Sequence, residues 1–367
     1  MSAGELTARI IGSGSSLPAT RLDNFSLYEV DAIRENFDVE KARGSLRNGG
    51  DTQELSAAQV FDLWSRQVTG IRERRIVDSD GTVTTESLCA DASRRALEIA
   101  GMEARDLDLI IVASLTASEE VPNVACTVGS MIGAPAVGGY VLNAACAGFI
   151  YALATGFSFI KSGTARRVLV VSGDSLSHIV DYSDPKTAVL FGDGAGAVVL
   201  EATTEGGGIL GQPYLAADYS REHMNLPGQW WAPAEAEDNH LQMGGGPQVL
   251  RQAVNTMTDV ASRALGTTSL TWDDIDFVIP HQANLRITQG IEKALRLSKG
   301  RVIHTIEHYG NMSASTVPIT LDEVLRGQHG PVPDPANFVL TAVGGGYTSG
   351  AMVFEWSASA DGKDGSG

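Results

Sequence analysis

The sequence predicts an α/β fold built from a duplicated unit. Two observations carry this. Short apolar runs alternate with amphipathic stretches along most of the chain, the pattern of a mostly parallel sheet covered on both faces. In addition, two segments of the first half have counterparts, in the same order, in the second. The acidic lead-in and apolar run at residues 106–112 matches residues 274–279, and the Gly-rich turn and strand at 191–200 matches 343–354. Gly-rich turns before strands are common, so neither pair alone is specific; two in one order point to duplication. The halves meet near residues 201–208, which divides the chain into 1–203 and 204–357, followed by a frayed tail at 358–367.

In chain order, residues 8–16 read as a strand with a Gly/Ser end. Residues 24–59 are irregular and charged, rich in Gly and Asp around 49–51, and read as an inserted helical excursion or a partly mobile arm. Residues 57–68 read as a helix, followed by a basic loop at 69–75. An amphipathic helix over 86–100 is closed by Gly101, and 107–113 is a strand. Residues 122–133 form a small-residue helix, and 140–143 is the strand feeding Cys146. The helix after Cys146 ends near Gly163. Residues 167–172 form a buried strand, and 189–200 a turn into another. Residues 218–246, with His223, Trp230, Trp231 and Met243, read as a lid.

Composition narrows the function. With 367 residues, 43% hydrophobic and 41 glycines, the chain supports a large core with much small-residue packing. The 27 basic and 44 acidic side chains give a net charge of -17, which argues against a nucleic-acid or anionic-membrane surface. Cys89, Cys126 and Cys146 have no metal-type spacing, and an odd, sparse set fits a reducing compartment. No apolar stretch is long enough to span a bilayer, and the first residues lack the apolar core of a signal peptide. The expectation is a cytoplasmic protein.

The most informative stretch is 141–150, where an apolar strand runs through small residues to Cys146 and then into a helix. A thiol at a helix start sits near unsatisfied N–H groups and the positive end of the dipole, which favours the thiolate. A buried small hydrophobe is the other reading of Cys146. His281 follows the repeat strand 277–279, at the strand edge where ligands gather in α/β sheets. Asn311 precedes a helix predicted over 316–325. Taken singly, His281 also reads as a structural histidine and Asn311 as a helix cap.

Together these words resemble the β-ketoacyl-acyl carrier protein synthase III family of the thiolase superfamily. The resemblance covers nearly the whole chain and rests on six motifs: residues 69–75, the Cys146 elbow, 191–197, 281–284, Gly310–Asn311 and 344–350. It implies a thiolase-type duplicated α/β unit in five layers, αβαβα, and a homodimer. It implies a catalytic triad of Cys146, His281 and Asn311, with an oxyanion hole made by the N–H groups of Cys146 and Gly345. Trp64, Asn284 and Val343 fall at substrate-binding positions. The implied reaction loads an acyl group from a thioester, of coenzyme A or acyl carrier protein, onto Cys146. It then joins that group to a malonyl-type thioester by decarboxylative Claisen condensation, without a metal or redox cofactor.

The chain departs from the family at the coenzyme A clamp. Trp64 matches, but Val68 and Pro185, beside Lys186, stand where arginines are expected. A carrier-protein donor is the alternative. Arg286, Lys293, Arg296, Lys299 and Arg301 cluster after His281 and read either as a docking patch for an acidic carrier or as a solvated helix face. The length of segment 24–59 points to a specialised-metabolism member. Glu120 lies where relatives send a loop into the partner's acyl tunnel, and reads as a second acid/base or a solvated carboxylate. Two other functions remain open at this stage: acyl transfer to an oxygen or nitrogen nucleophile on the same fold, and cysteine hydrolysis.

Overall fold

The computed structural model describes residues 6–47, 52–220, 224–226, 240–244 and 246–358. Two sheets form its centre. The first contains β1 (Thr7–Ser16), β2 (Leu109–Ala113), β3 (Gly138–Leu142), β4 (Arg167–Ser175) and β5 (Asp193–Thr203), in the order β1-β5-β4-β2-β3. The second contains β6 (Gly208–Ser220), β7 (Phe277–Pro280), β8 (Ala336–Gly344) and β9 (Gly346–Trp356), in the order β7-β8-β9-β6. The pairing senses correspond. β2 runs parallel to β4, as β7 does to β8. β4–β5 and β5–β1 are antiparallel, as are β8–β9 and β9–β6. An isolated parallel bridge from Val278 to Val302 stands where β3 flanks β2 in the first sheet.

Six helices complete the layers: α1 (Thr85–Ile99), α2 (Val124–Met131), α3 (Gly148–Lys161), α4 (Pro247–Leu265), α5 (Leu285–Leu295) and α6 (Thr316–Leu325). α3 and α6 lie between the sheets. Their Phe149, Leu153, Phe157, Val317 and Leu321 join Val168, Val170 and Leu200 of one sheet and Ile279, Leu340 and Phe354 of the other in one core. Each such side chain, fully buried, contributes about 1.5–3 kcal/mol. Gly196 shows why glycine stands in the repeated turn: a Cβ there would lie 2.8 Å from the backbone nitrogen of Ile319 in α6. α1 and α2 cover the outer face of the first sheet, and α4 covers that of the second. The layers are therefore αβαβα, as the resemblance implies.

The inserted segment is helical, settling the choice between a helical excursion and a loose arm for its described residues. Helices Asn24–Tyr28, Asp31–Asn36 and Val39–Ser45 bring Leu27, Ile33 and Phe37 onto Phe61 and Trp64 of the helix Ala57–Thr69. That helix opens with a Ser56–Gln59 capping box and stops at Gly70, whose φ of 85° suits glycine. The basic loop beyond it is less open than its charge suggests. The Arg74 side chain is 1% exposed and donates to Asn24 Oδ1, Leu22 O and Val189 O, tying insertion and core together. Of the lid segment, Met224–Asn225 pairs with Gln242–Met243, while His223, Trp230 and Trp231 lie outside the described residues. Among the described residues no helix is long and apolar enough to cross a membrane.

Candidate active site

The elbow at Cys146 is built by backbone geometry. Asn143 Oδ1 accepts from the Ala145 N–H at 3.1 Å, and Ala145 takes the left-handed conformation at φ 48°. α3 then begins at Gly148, two residues beyond the cysteine rather than at it. From the second half, Thr348 Oγ1 donates to Ala144 O at 2.6 Å. Gly344 presses against the same turn: a Cβ there would come within 2.7 Å of the Cys146 nitrogen. The Gly-rich turn at the end of β8 is therefore fitted to the back of the elbow.

Burial sets the ionisation of the sulfur. Cys146 is 4% exposed, and desolvation pushes its pKa up to about 12, with the charge of Asp174 adding to the rise and the Ser313 hydroxyl opposing it. This corrects the expectation of a thiolate favoured by the helix start. Burial raises the pKa of the thiol, so the resting group is a thiol.

His281 follows β7, its N–H bonded to Thr341 O at 2.8 Å. Its Nδ1 is 2.7 Å from Thr316 Oγ1, and burial lowers its pKa to about 3, so the imidazole is neutral. Asn311 is held by the Gly-rich turn of the first half: its N–H donates to Leu190 O at 2.8 Å, and its carbonyl accepts from Gly192 N at 3.0 Å. Gly192 is required there, since a Cβ would fall 2.3 Å from Tyr309 O. The Asn311 Oδ1 accepts from Ser313 N at 2.9 Å, which leaves Nδ2 without a partner among the described residues. Asn311 does not cap α6; Ser315 holds that position.

One turn, residues 311–316, connects all three groups. Thr316 Oγ1 contacts His281 and also lies 3.1 Å from Ser313 O, Ser313 N binds Asn311, and the Ser313 hydroxyl faces the Cys146 thiol. Thr316, Ser313 and Asp174 were not singled out from the sequence. A signal for Asp174 existed, an acidic residue inside the otherwise apolar β4.

Beside Ala145 and Gly345 lies a cavity of about 450 Å³, walled by Leu115, Met224, Leu226 and Leu241. The other expected positions behave differently. Trp64 is half-buried, with Phe37 5.1 Å and Phe61 6.0 Å away, ring centre to ring centre. Asn284 caps α5, accepting from Arg286 N and donating to Val68 O, so both ends of its amide are occupied. Val343 packs in a small core with Met257 and Tyr347. Arg286, Lys293, Arg296 and Lys299 are exposed on and just after α5, with Arg286 also donating to Gln67 O. Arg301 leaves the expected patch: it donates to Trp272 O and Ile275 O. Glu120 lies exposed in the loop before α2.

Comparison with known proteins agrees with this architecture. Residues 140–218 match the family described as 3-oxoacyl-[acyl-carrier-protein (ACP)] synthase III, and residues 265–356 match its C-terminal region. The chain is 42% identical over 298 residues to β-ketoacyl-[acyl-carrier-protein] synthase III 1 of Bacillus cereus, covering 81% of this chain and 91% of that protein. The crystal structure of 3-oxoacyl-[acyl-carrier-protein] synthase III from Aquifex aeolicus superposes with a TM-score of 0.79 at 34% identity, over 95% of this chain and 100% of that one. The priming β-ketosynthase of the R1128 polyketide pathway superposes with a TM-score of 0.82 at 28% identity, over 97% and 98% of the two chains. The chain belongs to the β-ketoacyl-[acyl-carrier-protein] synthase III family of thiolase-fold condensing enzymes.

Proposed function

We propose that the protein runs the family's decarboxylative Claisen condensation with Cys146, His281 and Asn311. The observation that carries this reading is the single turn, 311–316, joining the surroundings of all three side chains. Cys146 attacks an acyl thioester, and the N–H groups of Cys146 and Gly345 hold the oxyanion. The acyl chain enters the apolar cavity beside Gly345. A malonyl-type thioester then offers its carbonyl to His281 and Asn311, which donate hydrogen bonds to the enolate formed as carbon dioxide leaves. The carbanion attacks the acyl group on sulfur.

The neutral state of His281 favours carbon–carbon bond formation over acyl transfer to oxygen or nitrogen. An imidazole held down at about 3 is a poor base at neutral pH, whereas a neutral N–H is the donor an enolate needs. Thr316 has one hydroxyl proton within reach of both Nδ1 and the Ser313 carbonyl oxygen; the reaction needs it turned to Nδ1, which leaves the imidazole proton on Nε2 for the enolate.

Finer features belong to the same proposal. The donor is an acyl carrier protein, since Trp64 is packed by Phe37 of the insertion and lacks the arginines expected beside it. The exposed Arg286, Lys293 and Arg296 receive the acidic carrier. The working form is a cytoplasmic homodimer of two-halved subunits divided near residue 203. The test is intact mass after exposure to acyl thioesters, followed by carbon dioxide release on adding a malonyl thioester. An acyl adduct that Cys146→Ala abolishes, with carbon dioxide release, supports the reading. An adduct whose acyl group passes to an alcohol or amine without carbon dioxide would replace it.

A further inference from the structure

The reaction assigned above leaves one buried acid unused. Asp174 is 0% exposed, near the end of β4. Its Oδ1 accepts from Leu115 N at 2.7 Å and from the Ser114 and Thr116 hydroxyls at 3.2 Å each. Its Oδ2 is buried and has no hydrogen-bond partner among the described residues. Such an atom is costly to leave unsatisfied, and native cores rarely do so without reason.

The group facing this carboxylate is equally unusual. Ser313 is 1% exposed, sits at φ 52°, and its Oγ is also buried without a properly formed hydrogen bond. The Asn311 side chain fixes its backbone N–H in that conformation. The neighbouring turn is anchored to β4 on the Asp174 side, with Ser172 Oγ and Ser315 Oγ 3.1 Å apart, each two residues along from the pair in question. Ser313 eases the ionisation of both the Asp174 carboxyl and the Cys146 thiol, although its Oγ forms a hydrogen bond with neither. A hydroxyl is both donor and acceptor, so Ser313 is the group able to pass a proton between the thiol and Oδ2.

We propose that Ser313 and Asp174 form a proton relay for Cys146: the Ser313 hydroxyl takes the thiol proton as sulfur attacks the acyl thioester and passes its own proton to Asp174 Oδ2. The new bond is Cys146 Sγ to the acyl carbon, and the bond that breaks joins that carbon to the donor's sulfur. The proton held on Asp174 returns through Ser313 to the leaving thiolate, so the step ends with an acylated cysteine, a free donor thiol and an unprotonated carboxylate. No metal, reductant or further reactant is consumed. The relay answers a need of this site, because a thiol pushed up to about 12 does not ionise unaided near neutrality. Burial raises Asp174 to about 6, closer to the thiol than the imidazole at about 3. The other titratable group facing Asp174 is Cys89 of α1, with Glu86 beyond it; burial first, then both carboxylates, raise Cys89 and keep it a thiol. Ser313 is the catalytic member and Asp174 a positioning residue acting through it.

The inference rests on Cys146 being the nucleophile, and the test separates the two ideas. Single-turnover self-acylation from an acyl thioester and alkylation by iodoacetamide are measured on the full-length wild type and on Asp174→Asn, Ser313→Ala and Cys146→Ala. General-base assistance of this kind is worth roughly 100-fold, so both relay variants should acylate about that much more slowly. Alkylation needs only the thiolate, and removing the opposing charge in Asp174→Asn should leave it as fast as wild type or faster. Ser313→Ala keeps the carboxylate's bonds to Leu115 and Thr116 and guards against a folding defect in Asp174→Asn. In Ser313→Ala alkylation slows too, because the hydroxyl eases ionisation of the thiol; unchanged acylation in either variant, or acylation and alkylation falling together in Asp174→Asn, overturns the relay. An adduct that persists in Cys146→Ala overturns the assignment of the nucleophile instead.

Discussion

Thr316 Oγ1 lies 2.7 Å from His281 Nδ1 and 3.1 Å from the Ser313 carbonyl oxygen, and accepts from Gln282 N–H at 3.2 Å. One hydroxyl therefore locks the imidazole to the turn that carries Asn311. It also sets which ring nitrogen holds the proton. Thr316→Val keeps the volume and removes the hydroxyl. Decarboxylation should fall roughly 100-fold, the low end of the scale for a lost oxyanion donor. Self-acylation should change little. Equal losses in both half-reactions would show that Thr316 only holds the fold.

Gly344 tests the fit between the halves. In Gly344→Ala the new Cβ would meet the Cys146 nitrogen at 2.7 Å and Ala144 O at 3.0 Å, backbone atoms with no room to yield. Overpacking of this kind costs about 1–3 kcal/mol. A lower denaturation midpoint with self-acylation nearly lost is expected. A variant as active as wild type would mean that this turn does not hold the elbow.

The first half and the repeat were readable because buried strands and Gly-rich turns leave dense local signals. Residues 106–112 and 274–279, paired by their acidic lead-ins, lead into β2 and β7, which hold equivalent places in their sheets. Cys146, His281 and Asn311 could be named because each stands beside a turn with distinctive neighbours. What was hidden depends on contacts between residues far apart in sequence. Ser313 and Asp174 meet across 139 positions, and no local pattern marks a serine that will face a thiol. The thiol's ionisation is not legible in sequence because a helix start is a local signal, whereas burial and the nearby Asp174 depend on residues far along the chain. Arg301 looked like part of a charged face, yet its guanidinium closes backbone carbonyls.

Burial holds the folded His281 at about 3, against about 6.5 in an unfolded chain. Between those values only the unfolded state takes up the proton, so this group's contribution to stability falls as pH drops below about 6.5. Asp174 works the other way. Raised to about 6, it regains its proton before an unfolded carboxyl does, and its cost is relieved as pH falls below that value. Replacing His281 by Gln should therefore shrink the stability lost between about pH 7 and pH 4.5 by about 2 kcal/mol, read from urea unfolding. An identical acid slope in the two proteins would contradict a buried, neutral imidazole.

Phe37 tests whether the insertion is integral. Its ring is 4.9 Å from Phe61 and 5.1 Å from Trp64. Phe37→Ala should cost roughly 3 kcal/mol, the scale of aromatic truncation in cores. Trp64 emission should shift to the red as water reaches the indole. An unchanged melting temperature would mean that the inserted helices are dispensable to the fold.

The central claim is that the thiol and the carboxamide serve different half-reactions at one site. The most direct measurement follows Asn311→Ala through both, with intact mass for the acyl adduct and labelled carbon dioxide for malonyl breakdown. The account predicts an adduct on Cys146 at near wild-type yield, with carbon dioxide release reduced at least 100-fold, the scale of a lost oxyanion donor. Loss of the adduct with decarboxylation intact would contradict it.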